Sequence, residues 1–185
     1  MKVLSIFGSP NQGGFSSTLH RELLKPFEKK GVKCLSIHPY EIKINPCTAC
    51  GQCRHKPQCI FNDDMTEIYN NIREADIITI SSPLYFSSFP SPLKALIDRC
   101  QLIWEERRRN KITELTGQGF LICTGGGEYS SMFKGIMTMT GHFFNSLGVS
   151  FSEENTILYS NTDSAEEISL EFLDKARYAG TTLLK

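Results

Sequence analysis

Short apolar runs alternate along this chain with longer segments in which apolar residues recur every three or four positions. The short runs are rich in β-branched and aromatic residues and predict strands at Val3 to Phe7, Val32 to Ile37, Ile77 to Ile80, Phe120 to Cys123 and, more weakly, Ile157 to Tyr159. The longer segments predict helices at Thr18 to Lys30, Met65 to Glu74, Leu93 to Arg109, Met132 to Leu147 and Ala165 to Leu184. The chain therefore repeats strand and helix five times.

Strands that are apolar throughout and separated by helices are typical of a parallel sheet covered on both faces, because right-handed crossovers lay helices on each side. We therefore predict an α/β fold, a flavodoxin-like three-layer sandwich around a five-stranded parallel sheet of order 2-1-3-4-5. Ligands of such sheets bind outside the carboxyl ends of the strands, where the strand order reverses. The loops after the first, third and fourth strands are accordingly the expected site.

The size and charge of the chain narrow its functional class. With 185 residues it can bury one substantial core, and we expect a single domain over residues 1–185, with a cysteine-rich loop at about 39–62. Its 20 Lys and Arg residues balance 20 Asp and Glu residues, which disfavours binding to nucleic acid or anionic lipid. We find no secretory signal and no apolar run of about 18 residues. We expect a cytoplasmic protein without a membrane partner.

The first predicted loop, GSPNQGGFSST from Gly8, combines glycines with several hydroxyls at the start of a helix. Such a combination permits close backbone approach and anion binding. The loop lacks the GK[ST] ending of a nucleoside-triphosphate loop and the G-x-G-x-x-G spacing of a dinucleotide fold. A phosphate monoester such as FMN therefore fits better than ATP or a Rossmann-bound NAD. For this loop alone, an ordinary helix cap behind a flexible turn is an equal alternative.

The loops after the third and fourth strands suit a planar ring. Tyr85 and Phe86 follow Pro83 at the carboxyl edge of the sheet, where aromatic side chains could flank such a ring. The sequence TGGGEYSSM from Thr124 offers backbone amides that could approach the polar edge of the ring. Each loop alone is also compatible with simple turn chemistry. Their joint placement favours a cofactor site.

Several motifs together, namely the GSP opening, the serine-rich helix start, SPLYF, LKALIDR and TGGG, resemble the NAD(P)H-dependent FMN reductase family over nearly the whole chain. The resemblance implies that the first loop binds the FMN phosphate through Ser9, Asn11, Ser16, Ser17 and Thr18. It implies that the other two loops hold the isoalloxazine ring through Pro83, Leu84, Tyr85, Phe86, Thr124, Gly125 and Gly126. The chain departs from the family pattern at Asn11, where many relatives have Arg, and at residues 89–92, which replace a glycine-rich stretch.

Four of the seven cysteines lie close together, with the spacing CX2CX2CX5C: Cys47, Cys50, Cys53 and Cys59. Three thiolates at this spacing can reach three corners of one cubane, with a fourth arriving from further along the chain. A [4Fe-4S] cluster is the favoured occupant. Structural zinc, which usually uses two separate CX2C pairs, ranks second, and four free thiols without metal remain the other alternative.

The compact cysteine run followed by NDDM also resembles the iron-sulfur flavoproteins within that family, in which the cluster lies beside the flavin and exchanges electrons with it. Asp63 and Asp64 precede a periodic helix and are predicted to be its N-cap residues. Asp98 and Arg99 are predicted to stabilise their helix or a subunit contact. No side chain stands out as an obligate acid, base or nucleophile, so we name no catalytic residue.

We therefore expect an FMN-dependent oxidoreductase that relays electrons between FMN and a [4Fe-4S] cluster, with NAD(P)H as a possible electron donor. The expected partner is a small-molecule acceptor or a redox protein such as ferredoxin, and relatives imply a homodimer or homotetramer. One alternative is a metal-free NAD(P)H-dependent FMN or quinone reductase. Another is a non-enzymatic flavodoxin-like carrier or redox sensor, although carriers are usually more acidic than this chain.

Overall fold

The structure is a computed structural model and describes residues 1–185. A parallel sheet forms the centre of the protein. Its strands are β1 (Val3–Phe7), β2 (Cys34–Ile37), β3 (Ile77–Pro83), β4 (Gly117–Thr124), β5 (Val149–Ser150) and β6 (Thr156–Tyr159). The spatial order is β2-β1-β3-β4-β5, with β6 also paired to β4, and every pair is parallel. The predicted fold class and the strand order 2-1-3-4-5 are confirmed.

The fifth position of the sheet is shared by two short strands. β5 pairs with Gly117 and Gln118, whereas β6 pairs with residues 121–124 of the same neighbour, β4. A 3-10 turn at Glu153–Asn155 lies between the two strands. The single weak strand expected at Ile157 to Tyr159 corresponds to β6. A two-residue strand such as β5 is too short to show the period-2 pattern from which strands are predicted.

Six α-helices cover the sheet: α1 (Phe15–Lys29), α2 (Met65–Glu74), α3 (Ser91–Arg99), α4 (Gln101–Arg109), α5 (Lys134–Leu147) and α6 (Leu170–Leu183). The single helix expected over Leu93 to Arg109 is wrong, because α3 ends before Cys100 and α4 begins after it. The apolar spacing continues across this break and does not mark it. None of these helices is both long and apolar enough to cross a membrane.

Each face of the sheet carries its own apolar cluster. Leu4, Ile78 and Leu121 belong to the cluster that includes residues of α2 to α5, whereas Val3, Ile77 and Phe120 pack with α1 and α6. Neighbouring residues of a strand alternate between the two clusters because their side chains point to opposite faces. Both faces are therefore buried, and the carboxyl edge is left for polar chemistry.

Two glycines in the middle of helices give a test of how closely α1 and α6 pack. A Cβ atom at Gly180 would lie 2.0 Å from the backbone oxygen of Leu23, whereas one at Gly141 would have no atom within 4 Å. We expect Gly180→Ala to lower the free energy of unfolding by about 1–3 kcal/mol through overpacking. The control Gly141→Ala should raise it by about 0.5–1 kcal/mol. Urea titrations measure both, and an unchanged Gly180→Ala variant would contradict the close approach.

Candidate functional site

The loop between β1 and α1 keeps its shape through hydrogen bonds among its own residues. The Ser9 hydroxyl donates to the carbonyl of Asn11 and accepts from the N–H of Asn11, both at 3.1 Å. Asn11 Oδ1 accepts from the Gly13 N–H at 3.0 Å, and the Ser17 hydroxyl donates to the carbonyl of Asn11 at 3.2 Å. The loop is therefore preformed around Asn11.

Polar groups at the start of α1 are left without partners in the chain. The helix begins after Gly14, which supplies no side-chain cap, and the first N–H groups of a helix have no intrahelical acceptor. Ser16 is 2% exposed, and its hydroxyl takes no part in the side-chain hydrogen bonds that Ser9, Asn11, Ser17 and Thr18 make in this loop. Free N–H groups, the helix dipole and the Ser16 hydroxyl together suit a phosphate group.

Thr18 and Arg21 lie on the exposed side of the same turn. The Thr18 hydroxyl donates to the carbonyl of Gly13 at 3.4 Å and accepts from the Arg21 guanidinium at 3.1 Å. Of the five residues expected at the phosphate, Thr18 is thus the one already engaged by a cation. Arg21 brings a positive charge to the start of α1, next to the loop that carries Asn11. Sequence reasoning missed Arg21 because it lies outside the glycine-rich motif.

A buried histidine joins α1 to β3 beneath this loop. His20 is fully buried, with Nδ1 2.8 Å from Ser81 Oγ and Nε2 2.7 Å from Thr79 Oγ1. The Phe7 ring stacks on it at a centroid distance of 4.2 Å. Burial, followed by the charges of His38 and Arg21, lowers the pKa of His20 to about 3. His20 is therefore neutral near pH 7. Its lone position in the sequence did not indicate this network.

The loop after β3 projects aromatic side chains from a tight turn. Tyr85 and Ser88 exchange two backbone hydrogen bonds of 3.0 Å. Between them Phe86 and Ser87 adopt positive φ angles of 49° and 61°, a conformation that non-glycine residues rarely take. Phe86 is fully exposed and Tyr85 is 46 % exposed. Both aromatic side chains thus lie at the carboxyl edge, as the sequence indicates.

The loop after β4 provides a glycine cradle. A Cβ atom at Gly125 would lie 2.0 Å from Met132 Cε, and one at Gly126 would lie 2.3 Å from Asp163 Oδ2. The Gly125 N–H donates to the carbonyl of Tyr159 at 2.8 Å, whereas the Gly126 N–H has no backbone acceptor. Thr124 is buried, and its carbonyl accepts from the Leu84 N–H at 2.7 Å, which joins this loop to the one after β3.

The twelve residues expected at the cofactor lie on these three loops, at the carboxyl ends of β3 and β4, and in the first turn of α1. In the sheet Phe7 is paired with Ser81, and Pro83 with Thr124, so the three strand ends share one edge. Five cavities of about 300 to 720 Å³ elsewhere in the molecule are lined by other residues. Asn11, Tyr85 and Phe86 are exposed, so the three loops present an open surface at this edge.

The four clustered cysteines line a single cavity of about 340 Å³. Cys47 and Cys50 are exposed, and Cys53 and Cys59 are half-buried. Between the first two, Ala49 has a positive φ of 53°, which is a strained conformation for a residue with a Cβ atom. No three His, Cys, Asp or Glu side chains stand close enough together to hold a metal ion. The sulfurs therefore share a cavity without converging on one point.

Helix α4 forms one wall of this cavity through charged side chains. Glu105 is 3 % exposed and lies 3.7 Å from Arg54 and 2.8 Å from Arg108, while Arg109 donates to the carbonyl of Cys53. Burial, followed by the charge of Glu105, raises the pKa of the Cys53 thiol. Metal binding at Cys53 must therefore be accompanied by loss of a tightly held proton.

Asp63 has a further role besides that of the helix cap that the sequence predicts. Its Oδ1 does accept from the Met65 N–H at 3.2 Å, but the carboxylate is paired with Arg99, at 2.8 Å from Nη1. Burial alone would raise the pKa of Asp63, yet the hydrogen bonds from Arg99 and Asn45 hold it at about 2. Asp64 makes no cap hydrogen bond and instead accepts from the Lys43 N–H at 2.7 Å.

The buried His20 gives a pH-dependent prediction. Its pKa is about 3 in the folded state and near 6.5 in the unfolded state, so stability is complete above pH 6.5 and is lost as the pH falls towards 3. We expect His20→Gln to remove a slope of about 1.4 kcal/mol per pH unit from the free energy of unfolding in this range. The control His142→Gln, at an exposed position of α5, should keep it. Parallel curves for wild type and His20→Gln in urea unfolding at pH 4 to 7 would contradict the assignment.

Comparison with known proteins places the chain in a family. The family model for NADPH-dependent FMN reductase matches residues 1–149. An iron-sulfur flavoprotein of Methanosarcina thermophila is 32% identical over 139 residues, or 75% of this chain and 71% of that protein. An iron-sulfur flavoprotein of Methanocaldococcus jannaschii is 37% identical over 99 residues, 54% of this chain and about half (51%) of its own length.

A solved structure extends the likeness in fold to the whole chain. The FMN-dependent NADH-azoreductase of Bacillus anthracis, in complex with FMN, superposes with a TM-score of 0.70 at 16% identity, covering 100% of this chain and 98% of that one. At 16% identity this likeness shows the fold alone. The family match is a match of sequence, and the residues that it covers include the three loops. The chain belongs to the NADPH-dependent FMN reductase family and is a flavin-dependent oxidoreductase.

Proposed function

We propose that this flavin-dependent oxidoreductase relays electrons between FMN at the carboxyl edge of the sheet and a [4Fe-4S] cluster bound by Cys47, Cys50, Cys53 and Cys59. The observation that carries the proposal is the common cavity of the four cysteines, in a chain whose glycine loops suit a flavin. The names of the two iron-sulfur flavoproteins support it. Thiolate sulfur is also the ligand type that iron-sulfur clusters use.

The flavin site of the proposal uses the three loops in different ways. Ser9, Asn11, Ser16, Ser17 and Thr18 bind the phosphate together with the first N–H groups of α1, and Arg21 adds a positive charge. Pro83, Leu84, Tyr85, Phe86, Thr124, Gly125 and Gly126 orient the ring, the glycines by allowing backbone approach and the aromatic residues by covering it. When bound, FMN supplies both one-electron and two-electron chemistry. The residues of the chain bind and orient it.

The cluster site needs a local rearrangement when the metal is taken up. Cys47 and Cys50 are exposed and flank the strained Ala49, so this part of the segment can move towards the half-buried Cys53 and Cys59. Zinc would place the same four sulfurs in a tetrahedron.

A metal-free NAD(P)H-dependent FMN or quinone reductase is the second candidate. It is favoured by one observation, namely that no three ligand side chains stand close enough together to hold a metal ion. In that case the cysteine segment has a structural role. NAD(P)H is the proposed donor in both cases, and a small-molecule acceptor or a redox protein such as ferredoxin is the proposed partner. The open flavin surface favours a homo-oligomer that covers it.

The role of the phosphate in flavin binding can be tested by comparing FMN with riboflavin. If Ser16 binds the phosphate, Ser16→Ala should raise the Kd for FMN about tenfold or more, since a hydrogen bond to a charged group contributes about 1.5–3 kcal/mol. The Kd for riboflavin, which lacks the phosphate, should stay the same. Thr181→Ala, which removes an exposed hydroxyl near the end of α6, is the control. Flavin fluorescence quenching measures all three, and equal loss of FMN and riboflavin binding would argue against a phosphate cradle.

The cluster can be tested by metal analysis after anaerobic purification. We expect about four irons and four sulfides per wild-type chain, together with FMN. The double variant Cys50→Ser, Cys53→Ser should lose the iron and keep the flavin. Cys34→Ser, in β2 and outside the cavity, should keep both. Wild-type protein with flavin and no iron would favour the metal-free reductase.

A further inference from the structure

The cysteine segment is attached to the rest of the molecule at both of its ends by one buried side chain. Arg99, the last residue of α3, has a side chain that is 1% exposed. It donates to the carbonyl of Asn45, ahead of the first cysteine, at 2.8 Å. It also donates to both carboxylate oxygens of Asp63, after the last cysteine, at 2.8 and 3.1 Å. One guanidinium thus closes residues 45–63 into a loop.

Further contacts hold the guanidinium itself in place. Arg99 Nε donates to Tyr69 Oη at 3.3 Å, and the Tyr69 hydroxyl donates to the carbonyl of Arg99 at 3.1 Å. On the other side the guanidinium lies 4.9 Å from the ring centroid of Phe61, two residues after Cys59. The planar fork of arginine can make these contacts at once, whereas the single ammonium of lysine cannot.

The same side chain lines the cavity of the four cysteines. Cys59 is half-buried and packs against the apolar cluster that includes residues of α2 to α5, whereas Cys47 and Cys50 remain exposed. Asn45 reinforces the closure, because its backbone N–H and its side-chain amide donate to Asp63 Oδ2 at 3.0 and 3.1 Å. The closure therefore joins the stretch that carries the half-buried Cys59 to the stretch that precedes the exposed Cys47.

We infer that Arg99 is a positioning residue for the cysteine site: it holds Cys59 in the cavity wall, so that this sulfur is in place before any metal arrives. Closing residues 45–63 into a loop also restricts the positions open to the other three cysteines. The inference rests on the proposed function in one respect only, namely that the four cysteines bind a cluster. The placement of Cys59 is a property of the metal-free chain and can be measured separately.

The test is the reactivity of individual cysteines in the reduced, metal-free chain, measured by maleimide labelling and mass spectrometry. In the wild type Cys59 should react several-fold more slowly than Cys47, because Cys59 is partly buried whereas Cys47 is exposed. Arg99→Lys keeps the charge and loses the fork, and Asp63→Asn removes its main partner. Both variants should label Cys59 as fast as Cys47. Unchanged protection of Cys59 in these variants would overturn the inference.

Two controls separate positioning from general stability. Arg177→Lys alters an ion pair on the other face of the sheet, in which Arg177 of α6 donates to Glu22 of α1 at 2.7 Å, and should leave Cys59 protected. Cys123, fully buried in β4, reports global unfolding and should stay unlabelled in every variant. Exposure of Cys123 together with Cys59 would show a merely structural role and would overturn the inference.

A double variant removes both buried charges and completes the test. Asp63→Leu, Arg99→Met replaces the buried ion pair by an apolar pair, which avoids leaving one charge buried alone, and Cys123 should stay unlabelled in it. It should still label Cys59 rapidly, since the bonds to Asn45 and Asp63 are gone. Protection of Cys59 in this variant would overturn the inference. The wild type could take up no iron while the Arg99 and Asp63 variants still label Cys59 faster than the wild type does. In that case the cluster proposal is wrong and the positioning role of Arg99 is kept.

Discussion

The parallel pairing of β1, β3 and β4 decides where chemistry can take place on this chain. The three strands run side by side in one direction, so their carboxyl ends meet at a single edge of the sheet. Both faces of the sheet are covered by helices, and polar groups near the buried strands must find partners there or at that edge. The three loops proposed to bind the flavin are adjacent for this reason, although long stretches of sequence separate them.

The two sites of the molecule are built by different kinds of contact. The loops at the sheet edge are shaped by backbone hydrogen bonds, by local side-chain bonds such as those of Ser9 and Ser17 to Asn11, and by glycines that lie too close to their neighbours for a side chain. The cysteine segment instead depends on side chains that meet across the chain, above all Arg99 and Asp63. Its shape is therefore sensitive to single substitutions far from any cysteine.

This difference explains what the sequence could predict. Strand order, the position of α1 and α2, and the three loops follow from local apolar patterns and glycine motifs, which act over a few residues. The break at Cys100 leaves the apolar spacing undisturbed, and the two-residue strand β5 shows no pattern. The pairing of Arg99 with Asp63 and the burial of His20 are long-range contacts, which periodicity does not record. The contacts between α4 and the cysteine segment, such as that of Arg109 with Cys53, are long-range contacts of the same kind.

The burial of the remaining thiols has a consequence for oxidative damage. Burial raises the pKa of Cys100 and of Cys123, so at neutral pH these sulfurs stay protonated and react slowly with peroxide. The exposed Cys47 and Cys50 meet oxidants first and begin the ladder from sulfenic acid or disulfide to irreversible sulfonic acid. Early oxidation is thus confined to one segment, where a thiol reductant can reverse it, while the packed interior of the sheet is spared.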